Sequence, residues 1–238
     1  MTPRKEIIGS AELWLGDCRD VLPMLSGVDA VLTDQPYGSG WVSGGKSVGM
    51  FSASGTSPDW DKWSTEWIGL IQAKTFAAFC PCSRLSDLIS AFGGGSIRFY
   101  IKSNPRPALR GLDAPSVEPI VIFPRVLYGT GPQHFVVYNG DNEHHPTQKP
   151  SPIMEWLIIG ISLPTEIICD PFMGSGTTGV ACARLGRRFV GVEIEPKYFD
   201  IACRRIEEAQ RQSDLFIRAP DPDVYDREMR DLFKEPSS

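Results

Sequence analysis

With 238 residues, 42% of them hydrophobic, the chain is long enough to bury a sizeable core, and one α/β domain with an inserted lobe is the expected organisation. No apolar run reaches membrane-spanning length and the N-terminus MTPRKEIIGS has no secretory core, which argues against a membrane or secreted protein and for a soluble, cytoplasmic one. A formal net charge of -5 does not announce a nucleic-acid binder, and six scattered cysteines without a C-x-x-C pair read as reduced thiols, not as a disulfide frame or a zinc site.

In chain order, residues 12–15 alternate polar and apolar as a short strand does and end in Gly16-Asp17-Cys18. Asp17 precedes an apolar-periodic stretch running to Leu25, which suits a helix cap. Residues 28–33 (VDAVLT) read as a buried strand. Asp34-Gln35-Pro36-Tyr37 then falls at its C-terminal edge, where open α/β sheets place their ligands. The Gly- and Ser-rich stretch 38–57 leaves this turn directly and reads as a flap over the site. Trp60, Trp63, Trp67, Leu70 and Ile71 recur at helical spacing, a pattern of core packing more than of base stacking. A strand over 76–80, a helix over 83–92 stopped by Gly93-Gly94-Gly95, and a strand over 96–101 follow.

The texture then changes. Residues 102–143 are predicted to form an inserted region. Its first part, 102–127, holds five prolines, which prevent a helix, around a brief strand at 120–123, and 129–142 continues as irregular chain. Between Arg84 and Arg125 six basic residues face three acidic ones, whereas from Glu207 onward nine acids outnumber five bases. Phosphate contact depends on such local balance, so Lys102, Arg106, Arg110 and Arg125 are the predicted DNA-binding residues. His144 and His145 point opposite ways in an extended chain, which disfavours a metal site. Ser151-Pro152 reads as an N-cap with proline at the first helical position, opening a helix that faces Ile153, Leu157 and Ile161 inward.

The most informative stretch is IICDPFMGSGTTG, residues 167–179. A strand ending in Asp170 runs into a turn with Gly174 and Gly176, and a helix opens at Thr177 and closes at Gly186. A second strand, 188–192, ends at Glu193, 23 residues after Asp170, about where a doubly wound nucleotide site keeps the carboxylate for ribose hydroxyls. Gly179 completes the three-glycine spacing, but an acid before the glycines would repel a pyrophosphate and suits a cationic ligand. A last helix opens at Pro196, and beyond Gln212 the sequence turns into a charged tail, 213–238, with the single catalytic domain taken as 1–212.

DPFMGSGTT resembles the S-adenosylmethionine motif of DNA amino-methyltransferases, and Asp34-Gln35-Pro36-Tyr37 resembles their catalytic D-P-P-Y. With the catalytic tetrapeptide upstream of the cofactor motif, the order is similar to the circularly permuted beta group, and the resemblance covers roughly residues 12–209. It implies a Rossmann-like α/β methyltransferase sheet, mostly parallel with one antiparallel strand near 120–123. It further implies S-adenosylmethionine as cofactor, held by Asp17, Cys18, Thr147, Gln148, Lys149, Asp170, Pro171, Phe172, Gly174, Ser175, Gly176, Thr177, Thr178 and Glu193. Within that set, Asp17 is implied to sit near the adenine amine, and Thr147, Gln148 and Lys149 to reach the methionine carboxylate.

The catalytic residues implied are Asp34, Gln35, Pro36 and Tyr37. An aromatic amine is a poor nucleophile, so acceptors aimed at its hydrogens are needed: the Asp34 carboxylate and the carbonyl of residue 35 supply them, while Tyr37 stacks on a flipped-out base. Asp34, where other members have serine, tilts the target toward adenine N6. Cytosine N4, an RNA or protein amide, and a catalytically impaired DNA-binding homologue remain the alternatives. Gln35 departs from the family's proline, which fixes φ; a looser turn and a slower enzyme with the same chemistry are expected, although Pro36 still biases residue 35 to extended geometry. The resemblance also implies double-stranded DNA as substrate, pairing into a homodimer, and a cognate restriction endonuclease in a restriction-modification setting, in a prokaryotic or phage-infected cell.

Overall fold

The computed structural model describes residues 3–37, 62–102, 117–124, 134–137 and 149–216, the last four by backbone only. Among the described residues, nine strands form one sheet in the order β1-β2-β9-β8-β3-β4-β6-β5-β7. They are β1 (Arg4–Ile8), β2 (Ala11–Leu15), β3 (Ala30–Thr33), β4 (Thr75–Phe79), β5 (Ser96–Lys102), β6 (Val117–Phe123), β7 (His134–Val137), β8 (Ile167–Asp170) and β9 (Arg188–Glu193). The helices are α1 (Cys18–Val21), α2 (Leu85–Phe92), α3 (Ser151–Ile161), α4 (Thr177–Arg184) and α5 (Pro196–Phe216). No described helix is long and apolar enough to cross a membrane.

The central strands are buried on both faces, and the two-residue period of the pleat sorts their side chains. Ala30, Leu32, Ala77, Phe79, Ile120, Ile122 and Ile168 point to one core, filled by Ile153, Leu157 and Ile161 of α3 with residues of α4 and α5. Val31, Phe76, Ala78, Val121, Cys169 and Val190 point to the other, closed by Val21, Leu88, Phe92 and Trp67. The inward face expected for α3 is the observed one. Its start differs: Pro150 holds the N-cap position without a side-chain bond and Ser151 is already helical. Trp60 lies outside the described residues; among the described ones the stripe forms no α-helix, Glu66–Leu70 is a 3-10 turn, and Trp67 within it is core as expected, at 2% exposure.

The antiparallel strand at 120–123 is present, lengthened to Val117–Phe123, and lies inside the sheet between β4 and β5. Two strands escape the sequence reading. β1 pairs antiparallel with β2 at one edge, and β7, within the stretch expected to be irregular, pairs parallel with β5 at the other. Phe135 of β7 stacks on Trp156 of α3 with ring centroids 5.3 Å apart, which fastens that edge to the helical layer. α5 extends to Phe216, past the point where the charged tail was expected to begin.

For function, one adjacency matters most. β8 and β9, written late in the chain, lie beside β3, written early, so the turn after Asp170 and the turn after Thr33 leave neighbouring parallel strands at the same end of the sheet. The order of the motifs in the sequence is consistent with circular permutation.

Candidate active site

The turn after β8 is built from its own backbone and from two acids. Gly174 has φ 53° and Gly176 φ 84°, both in the left-handed region. The two do different work. A Cβ on Gly176 would stand 2.9 Å from Cβ of Ala202, so this glycine lets α5 press against the turn; a Cβ on Gly174 would meet nothing within 4 Å, so this glycine leaves the outer side of the turn open. Glu193, at the end of β9, accepts the Gly174 N–H at 2.9 Å on Oε2 and the Glu195 N–H at 2.8 Å on Oε1. Burial raises its carboxyl to about 7 against those two donors.

Asp170 faces inward. Its Oδ1 accepts from Thr33 Oγ1 at 2.7 Å and from the Phe172 N–H at 3.1 Å, and its Oδ2 accepts from Thr178 Oγ1 at 2.5 Å. Burial nevertheless raises it to about 6. The carboxylate expected to face a cationic ligand therefore spends its acceptors on β3, the turn and the start of α4. The same holds for Ser175: Arg205 of α5 donates to its carbonyl at 2.5 Å and its hydroxyl at 3.1 Å, and reaches Thr177 Oγ1 at 3.5 Å. Arg205 was missed in the sequence; it is a helix-face cation that buttresses the glycine turn.

Asp17 caps α1, accepting the Arg19 N–H at 2.9 Å and pairing with its guanidinium, which holds the carboxyl below its ordinary value. Gly16 bonds the Glu193 carbonyl at 2.9 Å, so Asp17 and Cys18 leave β2 beside the end of β9. Burial pushes the Cys18 thiol up to about 12, which disfavours its thiolate.

The turn after β3 carries a chain of alternating charge. Lys149 donates to Asp34 Oδ2 at 2.6 Å and lies 3.2 Å from Glu118 Oε2, while Lys102 pairs with the other oxygen of Glu118. Lys149 is 7% exposed and sits between aromatic rings, 4.9 Å from the centroid of Phe79 and 5.4 Å from that of Tyr37. Burial opposes its charge, but Asp34 and Glu118 outweigh burial and hold the ammonium above its ordinary value. Glu118 is held below its ordinary value because the two lysines overcome its burial. For Asp34 burial dominates; Lys149 opposes it, the like charge on Glu118 adds to it, and the carboxyl is raised.

Two placements here depart from the sequence reading. Lys102, expected on a phosphate-facing surface, is spent on Glu118 inside this chain of charge. Lys149, expected at the methionine carboxylate, is bound to Asp34. Glu118 was missed, and its signal was available: one acid within the apolar strand VEPIVIF. With Lys149 on Oδ2, the Oδ1 of Asp34 is buried and, like Tyr37 Oη and Gln35 Nε2, makes no hydrogen bond of ordinary geometry among the described residues, although the Tyr37 hydroxyl lies near enough to the Asp34 carboxylate to lower it somewhat and to be raised by it. Buried polar atoms without partners are costly, so a cluster of them at one strand end makes this the candidate site. Thr147, Gln148, His144, His145, Arg106, Arg110, Arg125 and the flap at 38–57 lie outside the described residues. No group of three or more His, Cys, Asp or Glu among the described residues could hold a metal ion.

This geometry can be set against known proteins. A family model described as DNA methylase matches residues 127–204, which include α3, the glycine turn and Glu193. That match is a likeness to the DNA methylase family over part of the chain. It is similar to the Type II methyltransferase M2.DpnII of Streptococcus pneumoniae, 51% identical over 63 residues, 26% of this chain and 24% of that protein. DNA adenine methyltransferase YhdJ of Escherichia coli (strain K12) is 38% identical over 91 residues, 38% of this chain and 28% of that protein. The chain thus aligns with about a quarter of the length of these curated relatives. Among solved structures, the complex of M1.HpyAVI with SAM has a TM-score of 0.64 at 22% identity, covering 82% of this chain and 98% of that one. The PvuII DNA methyltransferase, cytosine-N4-specific, has a TM-score of 0.62 at 14% identity, covering 94% and 92%. The likeness establishes the fold: a Rossmann-like sheet shared with DNA methylases.

Proposed function

We propose that the protein is an S-adenosylmethionine-dependent DNA methyltransferase that modifies the exocyclic amine of a flipped base, adenine N6 foremost. The observation that carries this reading is the buried Oδ1 of Asp34, without a hydrogen bond of ordinary geometry among the described residues, standing one residue beyond Thr33, whose hydroxyl bonds the Asp170 carboxylate of the glycine turn at 2.7 Å. An acceptor in reserve is tied directly to a nucleotide-type turn. The adenine preference draws on the relatives, one named a DNA adenine methyltransferase, and on Asp34 itself.

The residues present fit the cofactor. Glu193, fixed by two backbone N–H groups, keeps acceptor capacity for ribose hydroxyls; the open side of Gly174 leaves room for the ligand; Asp17 and Cys18 border the same strand end. When bound, S-adenosylmethionine supplies an electrophilic methyl group on a sulfonium sulfur. In this reading Asp34 Oδ1 and the carbonyl of residue 35 accept the two amine hydrogens, which draws the nitrogen lone pair out of the ring and toward the methyl group. Tyr37 holds the base flat. After methyl transfer the nitrogen carries one proton too many, and Asp34, raised above its ordinary value, is the nearest acceptor for it.

Lys149 and Glu118 fix the Asp34 carboxylate so that one oxygen is always occupied by protein and the other is left for substrate. Arg106, Arg110 and Arg125, from the stretches of 102–143 outside β6 and β7, supply phosphate contacts to double-stranded DNA, and a homodimer and a cognate restriction endonuclease complete the proposed setting in a prokaryotic or phage-infected cytoplasm. The test is to incubate the protein with methyl-labelled cofactor and, separately, duplex DNA, RNA and protein, then weigh the nucleosides. Label in N6-methyladenine of duplex DNA is expected. Label in N4-methylcytosine alone overturns the choice of base, and label confined to RNA or protein overturns the substrate.

A further inference from the structure

Resting on the methyl-transfer reading, we propose that Trp67 is a positioning residue that clamps the catalytic turn to the cofactor turn, and that Gln35 stands in place of proline because its side chain receives that clamp. Trp67 lies on no strand; it comes from the 3-10 turn Glu66–Leu70 and is 2% exposed. Its indole N–H donates to Gln35 Oε1 at 2.8 Å, and Gln35 is itself 2% exposed. The same ring meets Phe172 edge-on, with centroids 6.0 Å apart and planes at 85°. Phe172 belongs to the cofactor turn, where its N–H bonds Asp170 at 3.1 Å. One rigid side chain therefore touches both loop tips, with a hydrogen bond to one and a ring contact to the other.

This changes the meaning of the departure from D-P-P-Y. A proline at 35 would stiffen the turn through its ring but has no acceptor in its side chain, so the buried indole N–H would lose its partner. Glutamine gives up the ring constraint and gains a tether to the opposite core. The looser turn and slower enzyme expected from the sequence considered only the first half of that exchange. The geometry points to a turn held as firmly by its side chain, with the carbonyl of residue 35 still available to the amine. Gln35 Nε2, buried without a partner among the described residues, shows that the amide is oriented by the indole and not by a full set of bonds of its own.

The experiment is a double-mutant cycle on the full chain with Trp67→Phe, Gln35→Pro and the combination, repeated with Gln35→Met. The methionine variant keeps the length of glutamine without an acceptor and serves if the proline variant does not fold. Three quantities are read: affinity for S-adenosylhomocysteine by calorimetry, thermal unfolding without ligand, and the single-turnover rate at saturating cofactor. Gln35→Pro and Gln35→Met are each expected to weaken cofactor binding and slow transfer, on the order of tenfold for a buried donor left unpaired. That loss in cofactor affinity would arise from a residue outside the cofactor turn. Trp67→Phe keeps a ring against Phe172 and removes the N–H; combined with either change at 35 it is expected to cost far less than the product of the two single losses. Losses that multiply, or a Gln35→Pro protein that binds and transfers as well as the parent, would overturn the clamp. If the parent transfers no methyl group to DNA, the methyl-transfer reading fails on its own, and the cycle in cofactor affinity still decides for or against the clamp.

Discussion

Asp29 and Asp34 stand five residues apart at opposite ends of β3 and use their carboxylates in opposite ways. Asp29 is fully engaged: Lys74 Nζ lies 2.7 Å from Oδ1, the Ile167 N–H donates to Oδ2 at 2.9 Å, and the Asp29 carbonyl accepts from Lys74 and Thr75. It closes the N-terminal ends of β3, β4 and β8, and its partners hold it below the ordinary carboxylate value despite burial. Asp34 has one oxygen on Lys149 and the other without a hydrogen bond of ordinary geometry among the described residues. A carboxylate whose acceptors are all taken builds the fold; one that keeps an acceptor back does so at a cost in desolvation, which the proposed function assigns to substrate.

That contrast can be broken by substitution. Asp34→Ala is expected to have the largest effect, slowing single-turnover methylation by roughly 10²–10³-fold, as removal of a preorganised acceptor does; tritiated-methyl incorporation into duplex DNA measures it. Next comes Lys149→Met, which leaves the Asp34 carboxylate without its cation and near the like charge of Glu118, which keeps only Lys102. Breaking a buried pair in this way costs about 3–5 kcal/mol, to be read from denaturant unfolding. The matched change at the other end, Lys74→Met, removes an exposed ammonium, and a melting temperature close to the parent's is expected. A Lys74 variant as unstable as the Lys149 variant would erase the distinction between the two ends.

A smaller effect sharpens the comparison through pH. Glu193 is raised to about 7 in the folded protein from an ordinary value near 4.5. The folded state then holds its proton longer than the unfolded one, so this group's contribution to stability is fully present below 4.5 and is lost as pH rises through about 7. Glu193→Gln, always neutral, should therefore gain in melting temperature relative to the parent above pH 7 and lose that gain toward pH 4.5. Ribose hydroxyls donate better to the ionised group, so the parent's affinity for S-adenosylhomocysteine should rise through the same pH range while the variant's stays flat. A flat parent profile measured by calorimetry would remove Glu193 from the cofactor site.

What the sequence disclosed follows from how each feature is encoded. β3, β4, β8 and β9 are short apolar runs ending in special residues, and the glycine turn is fixed by backbone conformations that few residues allow, so both could be read locally. The charge chain could not. Lys102, Glu118, Lys149 and Asp34 come from four separate stretches, and only the insertion of antiparallel β6 beside β4 brings Glu118 to Lys149. β1 and β7 are four or five residues long and lie at the sheet edges, where pairing rather than pattern decides that they are strands. Gln35 was legible as a departure but not as a solution, because its partner Trp67 was assigned to packing, a role it also fills.

The claim beneath all of this is that the turn after β3 and the turn after β8 open into one site. A crystal structure with S-adenosylhomocysteine bound measures it without knowledge of the target sequence. The sulfur is expected within about 8 Å of Asp34 Oδ1, the span of a methyl group, a near-attack gap and one hydrogen bond, with open space between them for a nucleobase amine. A sulfur lying in a different cavity from Asp34, or walled off from it by protein, would contradict the account.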